Sequence, residues 1–276
     1  MQGTIEDLVN MCYFLNGENG KESKHGQPPQ GWEIVDKLID NKSGFLGYTF
    51  KKDNNVVVCY KGTDFNSAAD WFGSDLSFLL GRKPPQYTFA KQLYLKAKEK
   101  FGKDNEIMVS GTSLGGGLAE LLGTDVCKDK VITFNPVGTH RVNKAPNNNQ
   151  ENSHIFNIVI KTDVVGNLFK HHGNVLYVDG PVPINNKKTH HHPVKPHHGL
   201  KNRLVDSHLV GNFKNFVPKN ILKTPIDTIN ILFNVKRLDI IDKSPFQYNT
   251  FPQKTIIQKP LTNNPLLNVY QSGLKV

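Results

Sequence analysis

Apolar positions at Ile5, Leu8, Val9, Met11, Cys12 and Leu15 recur at helical spacing, which predicts an amphipathic helix from Thr4 to Leu15. Gly17, Gly20, Gly26 and Pro28-Pro29 then punctuate a long loop. Gly44 to Phe50 and Val56 to Tyr60 read as two strands, and the Lys52-Asp53-Asn54-Asn55 turn between them makes a hairpin. Ala68 to Leu80 and Tyr87 to Phe101 read as helices, the second with its lysines turned outward. Glu106 to Ser110 is a short apolar strand, followed by helical composition from Leu114 to Gly123. Val131 to Phe134, Ile155 to Ile160 and Val175 to Val178 are three further buried-strand runs. Such runs alternating with helices indicate an α/β fold with a mainly parallel central sheet flanked by helices.

The pattern changes twice toward the C-terminus. Asn185 to Lys201 is basic and histidine-rich, with Pro193 and Pro196, and predicts no regular element. Beyond about Val217 the chain is rich in Asn, Lys and Pro with isolated Ile and Leu and shows no period. The expected organisation is one domain over 1–216 and a C-terminal extension over 217–276 of unpredicted fold. No internal repeat is visible.

Composition narrows the class. The 276 residues are 37% hydrophobic, enough for a buried core. No apolar run reaches about 18 residues, and the first residues carry Glu6 and Asp7 where a secretory leader carries positive charge. The expectation is a soluble protein without signal peptide or transmembrane segment, either cytoplasmic or exported by a non-classical or specialised route. Three cysteines, Cys12, Cys59 and Cys127, lie far apart in sequence and read as small buried hydrophobes rather than a disulfide framework. The formal net charge of +10 attracts polyanions, and by itself does not choose between nucleic acid and an anionic membrane.

The chemistry concentrates in Gly111-Thr112-Ser113-Leu114-Gly115, set between a strand and a helix start. A serine on a sharp strand-to-helix turn needs small residues two before and two after it, and Gly111 and Gly115 supply the room. The helix that follows points its N-terminus at the site, and the Leu114 N–H is placed to stabilise an oxyanion. A phosphate-binding glycine loop is the competing use of such a turn, but its Gly-Lys-Ser/Thr ending is missing.

Val56-Val-Val-Cys-Tyr-Lys-Gly-Thr63, Asp70-Trp71, Asp75-Leu76, Ser110-Gly-Thr-Ser-Leu-Gly-Gly-Gly-Leu-Ala119 and Thr133-Phe-Asn-Pro136 occur in this order. In combination they resemble the class 3 lipase family, especially its bacterial lipase and phospholipase A-like branches, from about Thr4 to Phe213. The resemblance implies an α/β-hydrolase catalytic domain over 1–216. Two positions depart from the family pattern: Thr112 stands where the family usually has His, and Lys61 where it usually has Arg. Neither is expected to perform the bond chemistry.

A serine nucleophile requires a base, and the base a carboxylate, in the order Ser, acid, His for this fold. Asp163 closes the run Ile158-Val-Ile-Lys-Thr and precedes Val164-Val165-Gly166-Asn167, which looks like the family's acid loop. Asp179, at the end of another strand, and Asp125, near the nucleophile helix, compete for the role. Among eleven histidines, His190, His191, His192, His197 and His198 crowd a polar proline-containing segment, and His171 and His172 flank a turn. His208 lies in the mixed apolar segment Val205-Asp-Ser-His-Leu-Val-Gly-Asn-Phe213 and resembles the family's late Asp-x-His context, so it is the preferred base. The bland reading of His208 is a core histidine satisfied by a backbone carbonyl.

The second oxyanion donor should come from a loop after an earlier strand. By resemblance this is Thr63, partner to the Leu114 N–H; the competing role for Gly62-Thr63 is an ordinary turn capping a helix. Lys61 is expected to pair with a carboxylate such as Asp75, and Asp70-Trp71 to be structural. The implied function is hydrolysis of fatty-acyl lipid esters, as phospholipase A1 or lipase, through an acyl-enzyme, with no cofactor and no metal. The implied partners are a lipid or phospholipid substrate and an anionic membrane met peripherally, with no specific nucleic acid; a secretion or immunity partner would accompany a bacterial effector role. The rival reading is a catalytically inactive hydrolase scaffold that binds anionic membranes or nucleic acid through its basic surface. A third takes the histidine cluster as a metal site, but no carboxylate or cysteine sits among those residues at ligand spacing.

Overall fold

The computed structural model describes residues 3–15, 27–62, 78, 81–143, 151–179, 213–214 and 217–239. Helix α1 (Ile5–Leu15) starts where predicted, because Thr4 and Asp7 cap it reciprocally: the Thr4 N–H donates to Asp7 Oδ2 at 2.9 Å and the Asp7 N–H to Thr4 Oγ1 at 3.3 Å. Strands β1 (Glu33–Asp40), β2 (Phe45–Lys52) and β3 (Asn55–Tyr60) follow, then helix α2 (Gln86–Phe101), strand β4 (Glu106–Thr112) and helix α3 (Ser113–Asp125). Strands β5 (Lys130–Phe134), β6 (Ile155–Ile160) and β7 (Asn174–Val178) complete the sheet. Helix α4 (Lys219–Leu222), a 3-10 turn at Ile226–Thr228 and helix α5 (Ile229–Asp239) come last.

Among the described residues one seven-stranded sheet runs in chain order from β1 to β7. Its first two pairings are antiparallel and the four from β3 to β7 are parallel, so the expected mainly parallel α/β sheet is present. Parallel strands covered on both faces read as unbroken apolar runs, which is why Val56–Tyr60 shows no alternation. Val56, Val58 and Tyr60 pack with Leu93, Leu118 and Leu122 of α2 and α3. The alternate set faces α1, where Cys59 Sγ lies 3.6 Å from Cys12 Sγ. Cysteines distant in sequence are thus neighbours in space, both buried and neither in a disulfide.

Strand β1 has no counterpart among the predicted elements, which leave the stretch between Pro29 and Gly44 unassigned. It is an edge strand held by its ladder with β2, and Ile34 and Ile39 are exposed, so no buried periodicity marks it. The predicted helix at Ala68 to Leu80 falls outside the described residues except for Phe78, which is helical and buried.

Beyond residue 217 the chain returns to α1. The Ile5 N–H donates to Thr224 O at 3.1 Å and the Ile226 N–H to Gly3 O at 3.0 Å, while Val217, Ile221, Leu222, Ile226 and Ile229 are buried. The first compact unit runs through Ile229, and residues 230–276 form a second unit whose described part is the remainder of α5. No helix among the described residues is long and apolar enough to cross a membrane.

Candidate active site

The parallel strands deliver three turns to one edge of the sheet. Ser113 follows β4, Asn135 follows β5, and Asp163 lies three residues past the end of β6. With neighbouring strands about 4.8 Å apart, the β4 and β6 ends are separated by roughly 10 Å, a gap that an imidazole between serine and carboxylate would span.

At the first turn Thr112 is still extended (φ −120°, ψ 152°), and Ser113 switches to φ +55°, the left-handed region that costs an L-residue about 1–2 kcal/mol. This is the strained turn that the glycine pattern predicted. A Cβ at Gly111 would come within 2.5 Å of the Gly115 carbonyl, and one at Gly115 within 2.6 Å of the Lys61 carbonyl oxygen. Gly115 therefore lets the start of α3 lie against the end of β3, where the chain leads through Gly62 toward Thr63. The Ser113 carbonyl accepts from the Val137 N–H at 3.1 Å, fixing the turn from the β5 side. A serine on such a turn is expected to present its hydroxyl to solvent, but Ser113 is only 1% accessible.

The acid loop is built differently. Asp163 is 1% exposed, its N–H donates to Ile160 O at 2.9 Å, and its Oδ1 accepts from the Gly166 N–H at 2.5 Å. Asn167 Nδ2 reaches the carbonyls of Asp163 at 2.5 Å, Ile160 at 3.1 Å and Lys161 at 3.3 Å, drawing the loop back onto the end of β6. Asn135, at φ +43°, accepts from the Ile160 N–H through Oδ1 at 2.8 Å and ties the two strand ends together.

The competing carboxylates have structural partners. Asp125 receives the Tyr87 hydroxyl and, at 2.9 Å, the Lys83 ammonium, and these hydrogen bonds hold its carboxyl below the usual range. Asp179 pairs with Lys161 at 2.6 Å with its side chain 86% exposed, too solvated to hold a catalytic imidazole in one orientation. Thr63 and His208 lie outside the described residues, as do Asp70, Trp71, Asp75 and the cluster from His190 to His198. Leu114 is buried at the first turn of α3.

The four described histidines are occupied elsewhere. His154 Nε2 contacts the carbonyls of Gly123 at 3.2 Å and Cys127 at 3.0 Å, near the C-terminus of α3. His172 Nε2 contacts Asn143 O at 3.0 Å, and its ring stacks on His140 at 5.3 Å. His171, read from sequence only as flanking a turn, is buried with both ring nitrogens engaged, Nδ1 to Glu120 Oε2 at 2.8 Å and Nε2 to Gly166 O at 2.7 Å.

Sequence reasoning gave no individual role to Asn135, Asn167 or His171, and passed over Glu120. The available signal was Glu120 itself, a lone carboxylate inside the apolar stretch Leu118-Ala119-Glu120-Leu121-Leu122. A buried charge must find partners, and a carboxylate there announces a polar cluster under the helix. Among the described residues no group of three or more His, Cys, Asp or Glu could hold a metal ion.

A mainly parallel sheet carrying a left-handed serine between strand and helix, with a buried carboxylate two strands along the same edge, defines an α/β-hydrolase. Residues 25–191 match the Tle-like phospholipase domain, and the chain belongs to this phospholipase-like family of lipid-ester hydrolases. Structural likeness extends to lipases. A fungal lipase in complex with an inhibitor is 14% identical with a TM-score of 0.49, covering 64% of this chain and 79% of that one. The native Rhizomucor miehei lipase propeptide complex is 13% identical (TM-score 0.45, covering 64% and 68%), and a triacylglycerol lipase from Penicillium expansum is 16% identical (TM-score 0.39, covering 54% and 71%). A search of curated protein sequences finds no significant match.

Proposed function

We propose that this protein is a serine esterase that hydrolyses fatty-acyl esters of lipids, as a phospholipase A1 or lipase, through Ser113, Asp163 and His208. The observation that carries the reading is the left-handed Ser113 between β4 and α3, on the sheet edge that also presents the buried Asp163. His208 takes the Ser113 proton as the hydroxyl attacks the ester carbonyl, and the Leu114 N–H with Thr63 stabilises the oxyanion. The alcohol leaves with that proton, and His208 then activates water to release the fatty acid from the acyl-enzyme. Peripheral contact with an anionic membrane belongs to the same reading, supported by the +10 charge, since each basic side chain near such a surface contributes roughly 1 kcal/mol.

The test is ester turnover on phospholipid vesicles, together with covalent labelling by a fluorophosphonate. The intact chain should label at Ser113 and release fatty acid, and Ser113→Ala should lose both, with turnover falling by about 10³-fold or more at unchanged melting temperature. Labelling also tests whether the covered hydroxyl becomes accessible. Binding of anionic vesicles without fatty-acid release would instead favour an inactive scaffold.

A further inference from the structure

Between the nucleophile helix and the acid loop runs a chain of buried hydrogen bonds. Glu120 projects from α3 about two turns beyond Ser113 and is fully buried. Its Oε1 accepts from Thr139 Oγ1 at 2.6 Å, the His172 N–H at 2.9 Å and the Thr139 N–H at 3.2 Å. Its Oε2 faces His171 Nδ1 at 2.8 Å, and on the far side of the ring Nε2 meets the Gly166 carbonyl at 2.7 Å. Gly166 is the residue whose N–H holds Asp163 Oδ1.

The donor and acceptor inventory assigns the protons. A backbone carbonyl only accepts, so Nε2 carries a hydrogen. A carboxylate receiving three donors on one oxygen is suited to accept through the other as well, so Nδ1 carries a hydrogen too. His171 is then an imidazolium with both N–H groups committed, leaving no nitrogen to take the Ser113 proton. Burial alone would lower its pKa, but the Glu120 charge and hydrogen bond, the Gly166 carbonyl and the Asp163 charge outweigh this and leave it raised.

We propose that Glu120 and His171 are positioning residues: the hydrogen-bonded bridge they form tethers Gly166 to the nucleophile helix, and through the Gly166 N–H sets the Asp163 carboxylate in register with Ser113. The proposal rests on Asp163 being the triad acid. A buried ion pair is a poor source of stability compared with apolar packing, whereas it fixes orientation at both ends. Neither residue touches a reacting atom. Their effect is on the catalytic step, because misplacing a catalytic group by about 1 Å can cost about 10²-fold in rate.

The experiment compares the full chain with Glu120→Gln, with His171→Leu, and with the double variant Glu120→Gln/His171→Leu, on a soluble ester. Glu120→Gln keeps an acceptor for Thr139 and His172, and its amide can donate to Nδ1 of a neutral His171 that still holds Gly166. It should therefore keep kcat within a few-fold. His171→Leu should lose about 10²-fold in kcat with KM nearly unchanged. The double variant removes both charges, so it is the one expected to fold even where a stranded Glu120 would prevent the single variant from doing so, and it should show the same loss. A folded double variant with the kcat of the intact chain overturns the proposal, as does a loss confined to KM. Nitrogen-15 spectra of the intact chain should show both ring N–H groups of His171, and the carboxyl carbon of Asp163 should shift in the double variant. An unmoved Asp163 resonance also overturns it. Because these spectra require no turnover, the tether can fail or succeed independently of the proposed esterase activity, whose own control is Ser113→Ala.

Discussion

The two turns that face each other across β5 solve the same problem by different means. The nucleophile turn holds Ser113 through backbone shape: a left-handed residue, with glycines at 111 and 115 where any side chain would strike backbone within about 2.6 Å. The acid loop holds Asp163 through side chains, with Asn167 gathering three carbonyls and the Glu120–His171 pair reaching in from another element. A steric device is stiff and local, so it fails when a single atom is added. A hydrogen-bonded device is distributed, so it degrades contact by contact.

Substitutions on either side of β5 put that contrast to the test. The largest effect falls on the steric side. Gly115→Ala places a methyl group against the Lys61 carbonyl, backbone that cannot swing aside. It should destabilise the chain by about 1–3 kcal/mol, read from denaturant unfolding, and misalign Ser113 enough to abolish fluorophosphonate labelling. A labelled, fully stable Gly115→Ala protein would show the turn to be more compliant than its geometry implies.

A smaller effect is expected across the gap. Asn167→Ala removes the carbonyl staple of the acid loop and should cost about 1 kcal/mol, with kcat reduced but measurable. If Asn167→Ala were as damaging as Gly115→Ala, the distinction between the two devices would not hold.

The smallest effect is a pH slope. His171 is faced by Glu120 from α3 and Asp163 from the acid loop, and its pKa is raised on folding, so the folded state binds its proton more tightly than the unfolded chain. That stabilisation is complete below the ordinary value of 6.5 and is lost as pH rises through the folded-state pKa. His154 and His140 have opposite sign, their pKa values lowered chiefly by burial, and they cost stability as pH falls. Urea midpoints between about pH 6 and about pH 9 should decline for the intact chain and decline less for Glu120→Gln/His171→Leu. Equal slopes would mean that His171 does not gain a proton on folding.

Much of the fold was legible because parallel buried strands write their own signal. Val56 to Tyr60, Glu106 to Ser110, Val131 to Phe134 and Ile155 to Ile160 were read as strands, and each lies in the sheet within a residue or two of the predicted bounds. Edge strand β1 escaped because its stability comes from backbone pairing with β2, which selects no apolar period. Residues 217–229 escaped for a related reason: their isolated Ile, Leu and Val are buried one at a time across short turns, so no periodic face forms.

The site divides along the same line. Gly111-Thr112-Ser113-Leu114-Gly115 marked the nucleophile turn by itself, because the steric exclusion at Gly111 acts against a residue four positions on, whereas the close approach at Gly115 is to the carbonyls of Tyr60 and Lys61, brought there by the fold. Asp163 was legible as a strand-end carboxylate, but the partners that distinguish it from Asp125 and Asp179 appear only on folding. The proximity of Cys12 to Cys59, the tie from Asn135 to Ile160 and the bridge from Glu120 through His171 to Gly166 were decided only by tertiary structure. A hydrogen bond between residues 51 positions apart leaves no periodicity in the chain, since either partner is an ordinary polar residue until the fold brings the other within 3 Å.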